Sequence, residues 1–205
     1  MSLLARFFLA PRARNDYATH IPILIGLARL RAIRSVLEFG CGHYSTLTFL
    51  NRAAFSDLER LHSIENDDEW ATTMQEAAKD HRWTLQRVNG DISQSIPELE
   101  SFDLILIDDS KTSAQRAATI RAVAAKQPRH PWIVIHDFEV DEYRDAASVF
   151  KHRYRFRAYN PETGVVGNRV DGWKTIDRVI RSKAKLIEPD AITEWVDSFL
   201  QDLQN

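Results

Sequence analysis

The chain has 205 residues, 44% hydrophobic and 27% charged, with 27 basic against 29 acidic side chains and a net charge of −2. This length suits one domain of ~100–200 residues, the apolar fraction excludes a disordered chain, and a pI of about 6.4 disfavours a polybasic nucleic-acid binder. The one cysteine, Cys41, excludes an internal disulfide and a cysteine-based zinc cage, and it suits a reducing, cytoplasmic compartment.

No run approaches the ~20 apolar residues of a membrane span. The N-terminal run Leu3–Ala10 is broken by Arg6 and followed by Pro11, Arg12 and Arg14. Most of its charge therefore comes after the apolar stretch, the reverse of a secretory signal, and docking on the protein's own surface is expected. From Ile21 to Arg31 apolar residues recur at helical spacing, with Pro22 acceptable in the first turn. Ser35–Gly40 reads as a strand ending in glycine, and Ser45 and Thr46 are placed to cap a helix carrying Leu47, Phe49 and Leu50.

A second strand is predicted over Leu61–Glu65, a helix over Asp67–Ala78, and a third strand over Trp83–Val88 that closes at Asn89-Gly90. Phe102–Ile107 and Trp132–Ile135 are almost wholly apolar, as strands covered on both faces are. Between them the alanine-rich stretch Thr112–Lys126 predicts a helix stopped by Pro128, and Asp109 reads as a cap. Strands alternating with helices of ~10–15 residues predict a Rossmann-like, doubly wound, mostly parallel α/β sheet.

Lys151–Tyr159 alternates with period two, which predicts an antiparallel edge strand, partnered from within Val165–Ile176. Its Arg153, Arg155 and Arg157 face reads as solvated, with an RNA-binding surface as the competing reading. Ala191–Leu203 predicts a terminal amphipathic helix. One domain over 1–205 is expected: an N-terminal helical segment to 32, a core over 33–137, and C-terminal strands and helix from 138.

Ligands of such sheets bind beyond the carboxyl ends of the strands. The first strand ends in Glu38-Phe39-Gly40-Cys41-Gly42, whose glycines let a ligand lie against bare backbone. The second ends in Glu65, 23 residues past Gly42, a usual spacing for a carboxylate that accepts ribose hydroxyls. Ser45 stands where the dinucleotide fingerprint needs a third small residue under a pyrophosphate, and Glu38 would repel a phosphate. No Gly-Lys-Ser/Thr occurs, so the P-loop pattern fails as well. A ligand with an adenosine part and a positive end fits better.

Val36–Gly42 resembles the first motif of the class I S-adenosylmethionine-dependent methyltransferases, Ser63-Ile64-Glu65 their ribose-binding motif, Asn89–Ile92 the adenine-binding one and Phe102–Asp108 the motif after strand four. The likeness runs from Ser35 to Asp137 with all four motifs in order. It implies S-adenosylmethionine as cofactor: Glu38 near its ammonium group, Gly40, Gly42 and Ser45 around it, Glu65 on the ribose, Asp91 on the adenine amino group and Ile92 on the adenine face. Tyr44 replaces the third glycine of the family's longer form.

Asp108 and Lys111 are similar to the metal-binding aspartate and the basic lysine of catechol-type O-methyltransferases, and Asp137 matches a second metal carboxylate there. Phe138 replaces that group's third ligand, an asparagine, which weighs against a divalent metal. His136 is the metal-free candidate base, with an unperturbed pKa of ~6.5. Solvated and buried structural roles stand as alternatives for Lys111 and His136, and Cys41 reads as a filler. The expected activity is methyl transfer to an oxygen of a small or carbohydrate-like molecule. A site left open, or completed by a second subunit, suits so short a chain. The competing readings are a cofactor-binding protein without catalysis and a nicotinamide-dependent oxidoreductase.

Overall fold

The computed structural model describes residues 16–109, 112–157 and 159–168. Elements follow in the order α1 (Ile21–Ala28), β1 (Ser35–Phe39), α2 (Thr46–Leu50), β2 (Arg60–Glu65), α3 (Asp68–Ala77), β3 (Trp83–Arg87), β4 (Leu104–Ile107), α4 (Ser113–Ala125), β5 (Trp132–Ile135), α5 (Asp141–Ala146), β6 (His152–Phe156) and β7 (Thr163–Gly167). The seven strands form one sheet in the order β3-β2-β1-β4-β5-β7-β6. The first five are parallel, β7 runs antiparallel to β5, and β6 is the antiparallel edge.

Period two along the central strands divides the core into two layers. Val36, Leu104, Leu106, Trp132 and Val134 pack with Leu24 and Leu27 of α1 and Phe49 of α2 on one face. Their sequence neighbours Leu37, Ile105, Ile107, Ile133 and Ile135 pack with Ile120 and Val123 of α4 and Tyr143 of α5 on the other. With both faces covered, β4 and β5 are buried throughout, which is why their sequences are continuous apolar runs.

Two expectations change in detail. β7 starts at Thr163, two residues before the expected partner strand. Thr112, not Asp109, caps α4, its hydroxyl accepting from the Gln115 N–H. Asp109 is fully buried and accepts from the Thr119 hydroxyl at 2.7 Å. The terminal helix over 191–203, the strand residues beyond 168 and the N-terminal run 3–10 lie outside the described residues. Among the described residues no helix is long and apolar enough to cross a membrane.

Candidate active site

The order of the strands reverses between β1 and β4, and the crevice at such a switch point is where ligands of this architecture bind. A cavity of about 700 Å³ opens there, within the ~300–1,000 Å³ usual for small-molecule sites. Gly40, Cys41 and Gly42 after β1, Glu65 at the end of β2 and Asp108 after β4 line it.

Gly40 has φ +81°, and a Cβ there would lie 2.6 Å from the Asp108 carbonyl oxygen. Only glycine lets the ends of β1 and β4 approach so closely. Around Gly42 a Cβ would meet nothing nearer than the Ser45 hydroxyl at 3.4 Å, so this backbone is open to a ligand. Cys41 is a buried filler whose thiol is pushed far above its usual pKa, chiefly by burial and then by Glu38 and Glu65.

Glu65 is aimed by backbone donors. Its carboxylate accepts from the N–H groups of Cys41 at 3.1 Å, Asn66 at 2.8 Å and Asp67 at 2.9 Å. The indole of Trp70 donates to the Cys41 carbonyl at 2.6 Å and meets His43 edge-on at 5.3 Å between centroids, which builds an aromatic wall beside the glycine loop.

Glu38 does not reach the cavity. It is fully buried, and hydroxyls from Ser63 at 2.5 Å and Thr46 at 2.8 Å donate to it. Thr46 in turn accepts the Gly42 N–H at 3.0 Å, so Glu38 supports the glycine loop from beneath. Burial pushes its carboxyl up to about 7 against the pull of the hydroxyls of Ser45, Ser63 and Thr46. Ser45 lines the cavity and starts α2 without capping it, because its hydroxyl is turned toward Glu38.

Asp91 and Ile92 are not among the lining residues either. The Asp91 carboxylate accepts from the Ser93 N–H at 2.9 Å, and Ile92 is wholly buried in the core. Asn66 bonds the Gly90 carbonyl at 2.7 Å, which ties their loop to the end of β2.

The chemistry concentrates around Asp108. Arg116, on the buried side of α4, reaches Asp108 Oδ1 at 3.0 Å and Asp137 Oδ2 at 2.7 Å through Nη1, while its Nε donates to the Asp109 carbonyl at 2.7 Å. His136 contacts Asp108 Oδ1 through Nδ1 at 3.2 Å and Thr19 through Nε2 at 2.9 Å. Asp137, two residues past β5, has φ +55°, a left-handed conformation that aspartate tolerates better than most residues. Lys111 lies outside the described residues.

Burial alone would raise the Asp108 pKa, but His136 and Arg116 outweigh it and hold the carboxyl well below its usual range. For His136 burial acts downward, and the Asp108 charge and hydrogen bond overcome it, so the imidazole is shifted toward its charged form. His20, edge-on to His136 at 4.8 Å, is buried, and among the described residues neither of its ring nitrogens has a hydrogen-bond partner. Burial and then the charge of His136 drive it down to about 3, so it is neutral. Sequence reasoning misses His20, Trp70 and Arg116. For Arg116 a signal exists: it shares the face of α4 that buries Thr119, Ile120 and Val123.

The arrangement of Asp108 and Asp137 does not suit the divalent metal that the resemblance leaves possible and Phe138 weighs against. A guanidinium already bridges them, and Phe138 packs its ring where a Cβ on Gly164 would lie at 2.4 Å, facing the core instead of the crevice. His20, Asp108 and His136 do bring one ligand atom each within 4.8 Å of one another. Both His136 nitrogens are engaged by Asp108 and Thr19.

A family model described as a methyltransferase domain matches residues 37–138, a span that holds the glycine loop, Glu65, Asp108, Arg116 and Asp137 but not His20. The chain belongs to the class I S-adenosylmethionine-dependent methyltransferases. No curated protein matches its sequence. Among solved structures, a Klebsiella pneumoniae protein described as a candidate O-methyltransferase is similar at TM-score 0.51 and 22% identity, over 82% of this chain and 88% of that one. A Staphylococcus aureus protein described as a candidate caffeoyl-CoA O-methyltransferase is similar at TM-score 0.52 and 12% identity, over 71% and 81%. A Nostoc punctiforme protein described as a candidate O-methyltransferase aligns at TM-score 0.49 and 11% identity over 74% of this chain. The methyltransferase chain spans 56% of the Nostoc protein's length. The first two share the fold.

Proposed function

We propose that this protein transfers the methyl group of S-adenosylmethionine to an oxygen of a small molecule. The observation that carries the reading is the cavity at the switch point, bounded by the bare glycine backbone, the backbone-aimed Glu65 and the ionised Asp108. Bound S-adenosylmethionine supplies an electrophilic methyl on a sulfonium. Glu65 would accept the ribose hydroxyls, Gly40 and Gly42 would pack along the ligand, and Asp108 would supply negative charge to balance its sulfonium. Glu38 acts at one remove, through Thr46, by fixing Gly42. Asp91 orders the loop by which Asn66 closes the adenine side.

His136 serves as a charged partner of Asp108 here, not as the base. Thermal shift with S-adenosylmethionine, S-adenosylhomocysteine and NAD, followed by a labelled-methyl acceptor screen, tests the reading. Stabilisation by the first two and methylated product support it. Stabilisation by NAD alone returns the oxidoreductase, and cofactor binding without any methylated acceptor returns the non-catalytic protein.

A further inference from the structure

Metal-dependent transfer to oxygen uses a divalent cation to hold the acceptor's ionised oxygen beside the methyl donor. In this chain the two carboxylates available for that ion are held by a side chain. Arg116 is buried and fixed on three sides, by Asp108, by Asp137 and by the Asp109 carbonyl, with the Tyr143 ring 5.3 Å away. Those bonds use Nη1 and Nε. Among the described residues Nη2 makes no hydrogen bond, and Arg116 lines the cavity. A guanidinium presents five donors in a rigid plane, so anchoring Nε and Nη1 fixes the direction of Nη2.

We propose that Arg116 stands in for the divalent metal and is a catalytic residue whose Nη2 binds the acceptor oxygen as an anion, so that the acceptor class is an acidic hydroxyl compound such as a phenol or enol.

The charges agree. Arg116 reaches both Asp108 and Asp137, and a guanidinium held in this way still offers a charge-assisted donor to an anionic oxygen at Nη2. The available bases agree too. Among the described residues His136 offers no free nitrogen, since Asp108 and Thr19 engage both. An acceptor that has already lost its proton to water needs no base from this histidine. Its oxygen forms the new O–C bond as the C–S bond breaks, and the bonding pair stays on sulfur.

This inference rests on the methyl-transfer reading, and the test separates the two. The full-length protein saturated with S-adenosylhomocysteine is titrated with 4-nitrophenol, whose absorbance reports its ionisation, and separately by calorimetry with MgCl₂, MnCl₂ and ZnCl₂. The expected results are a bound dye that stays ionised at a pH where the free dye is protonated, and no metal binding. Arg116→Lys keeps the charge but loses the fork, so the dye should bind at least tenfold more weakly while S-adenosylhomocysteine binds within about twofold of wild type. Arg116→Met should gain binding of a divalent ion, because it leaves two carboxylates uncompensated.

A dye that binds protonated or not at all, an unchanged dye affinity in Arg116→Lys, or metal binding by the wild type overturns the inference. Zinc binding abolished by His20→Ala would place a metal on the histidine side of Asp108 and overturns it equally. Failure of S-adenosylhomocysteine itself to bind refutes the methyl-transfer reading, and the acceptor assignment falls with it.

Discussion

The Ser63 hydroxyl donates to the Glu38 carboxyl at 2.5 Å and thereby joins β2 to β1 directly beneath the glycine loop. The Trp83 indole donates to the same Ser63 oxygen at 2.9 Å, and Thr46 carries the link onward to the Gly42 N–H. A hydrogen-bonded relay thus runs from β3 to the loop through one buried acid.

That acid makes stability depend on pH. Its folded pKa, about 7, lies above the ordinary value of 4.5. Its contribution is therefore fully present below pH 4.5 and is lost as pH rises through about 7. The span between the two values corresponds to about 3 kcal/mol. Glu38→Gln imitates the neutral acid. Relative to wild type it should gain several degrees of melting temperature between about pH 5 and about pH 8. Melting curves that keep the same offset at both pH values contradict the assignment.

Gly40→Ala tests the approach of β1 to β4. The left-handed backbone alone costs ~1–2 kcal/mol for a residue with a Cβ. The added carbon would also sit 2.7 Å from the Asp109 Cα, with backbone on every near side. A lower melting temperature and loss of S-adenosylhomocysteine binding are expected together. A variant that melts and binds like wild type would show that the strand ends part freely.

Trp70 offers an optical readout. It lines the cavity, is 37% exposed, and is held by its bond to the Cys41 carbonyl. S-adenosylhomocysteine should change the intrinsic fluorescence, and Trp70→Phe should remove most of that change although four other tryptophans remain of the five. Affinity should fall by less than tenfold, since one hydrogen bond is worth roughly 0.5–1.5 kcal/mol. A fluorescence change that survives the substitution places the ligand away from this wall.

The sheet is legible in the sequence because its central strands are buried on both faces, so Leu104–Ile107 and Trp132–Ile135 carry no polar interruption that another element would explain. The glycine loop and Glu65 are legible because their chemistry follows from local spacing along one strand–turn–helix unit. Glu38 is legible in place but not in role: spacing does not tell which face of β1 it occupies relative to Ser63 and Thr46. Arg116 escapes for a related reason. Its spacing from Thr119, Ile120 and Val123 marks it as sharing the buried face of α4, but which carboxylates it meets there depends on the packing of α4 against the sheet. His20 depends on α1 crossing to meet the end of β5, a contact between residues far apart in sequence that no local pattern encodes.

Calorimetric titration of the wild type and of Glu65→Gln with S-adenosylhomocysteine tests the central claim most directly. Glutamine keeps one oxygen for the Asn66 and Asp67 donors, but it removes the charge and sets an amide nitrogen where the Cys41 N–H now finds an acceptor. Charge-assisted bonds to two ribose hydroxyls are worth roughly 1.5–3 kcal/mol each. The account predicts one equivalent bound by the wild type, binding at least tenfold weaker in the variant, and no heat from NAD. Equal affinities in the two proteins, or NAD binding in place of S-adenosylhomocysteine, would contradict it.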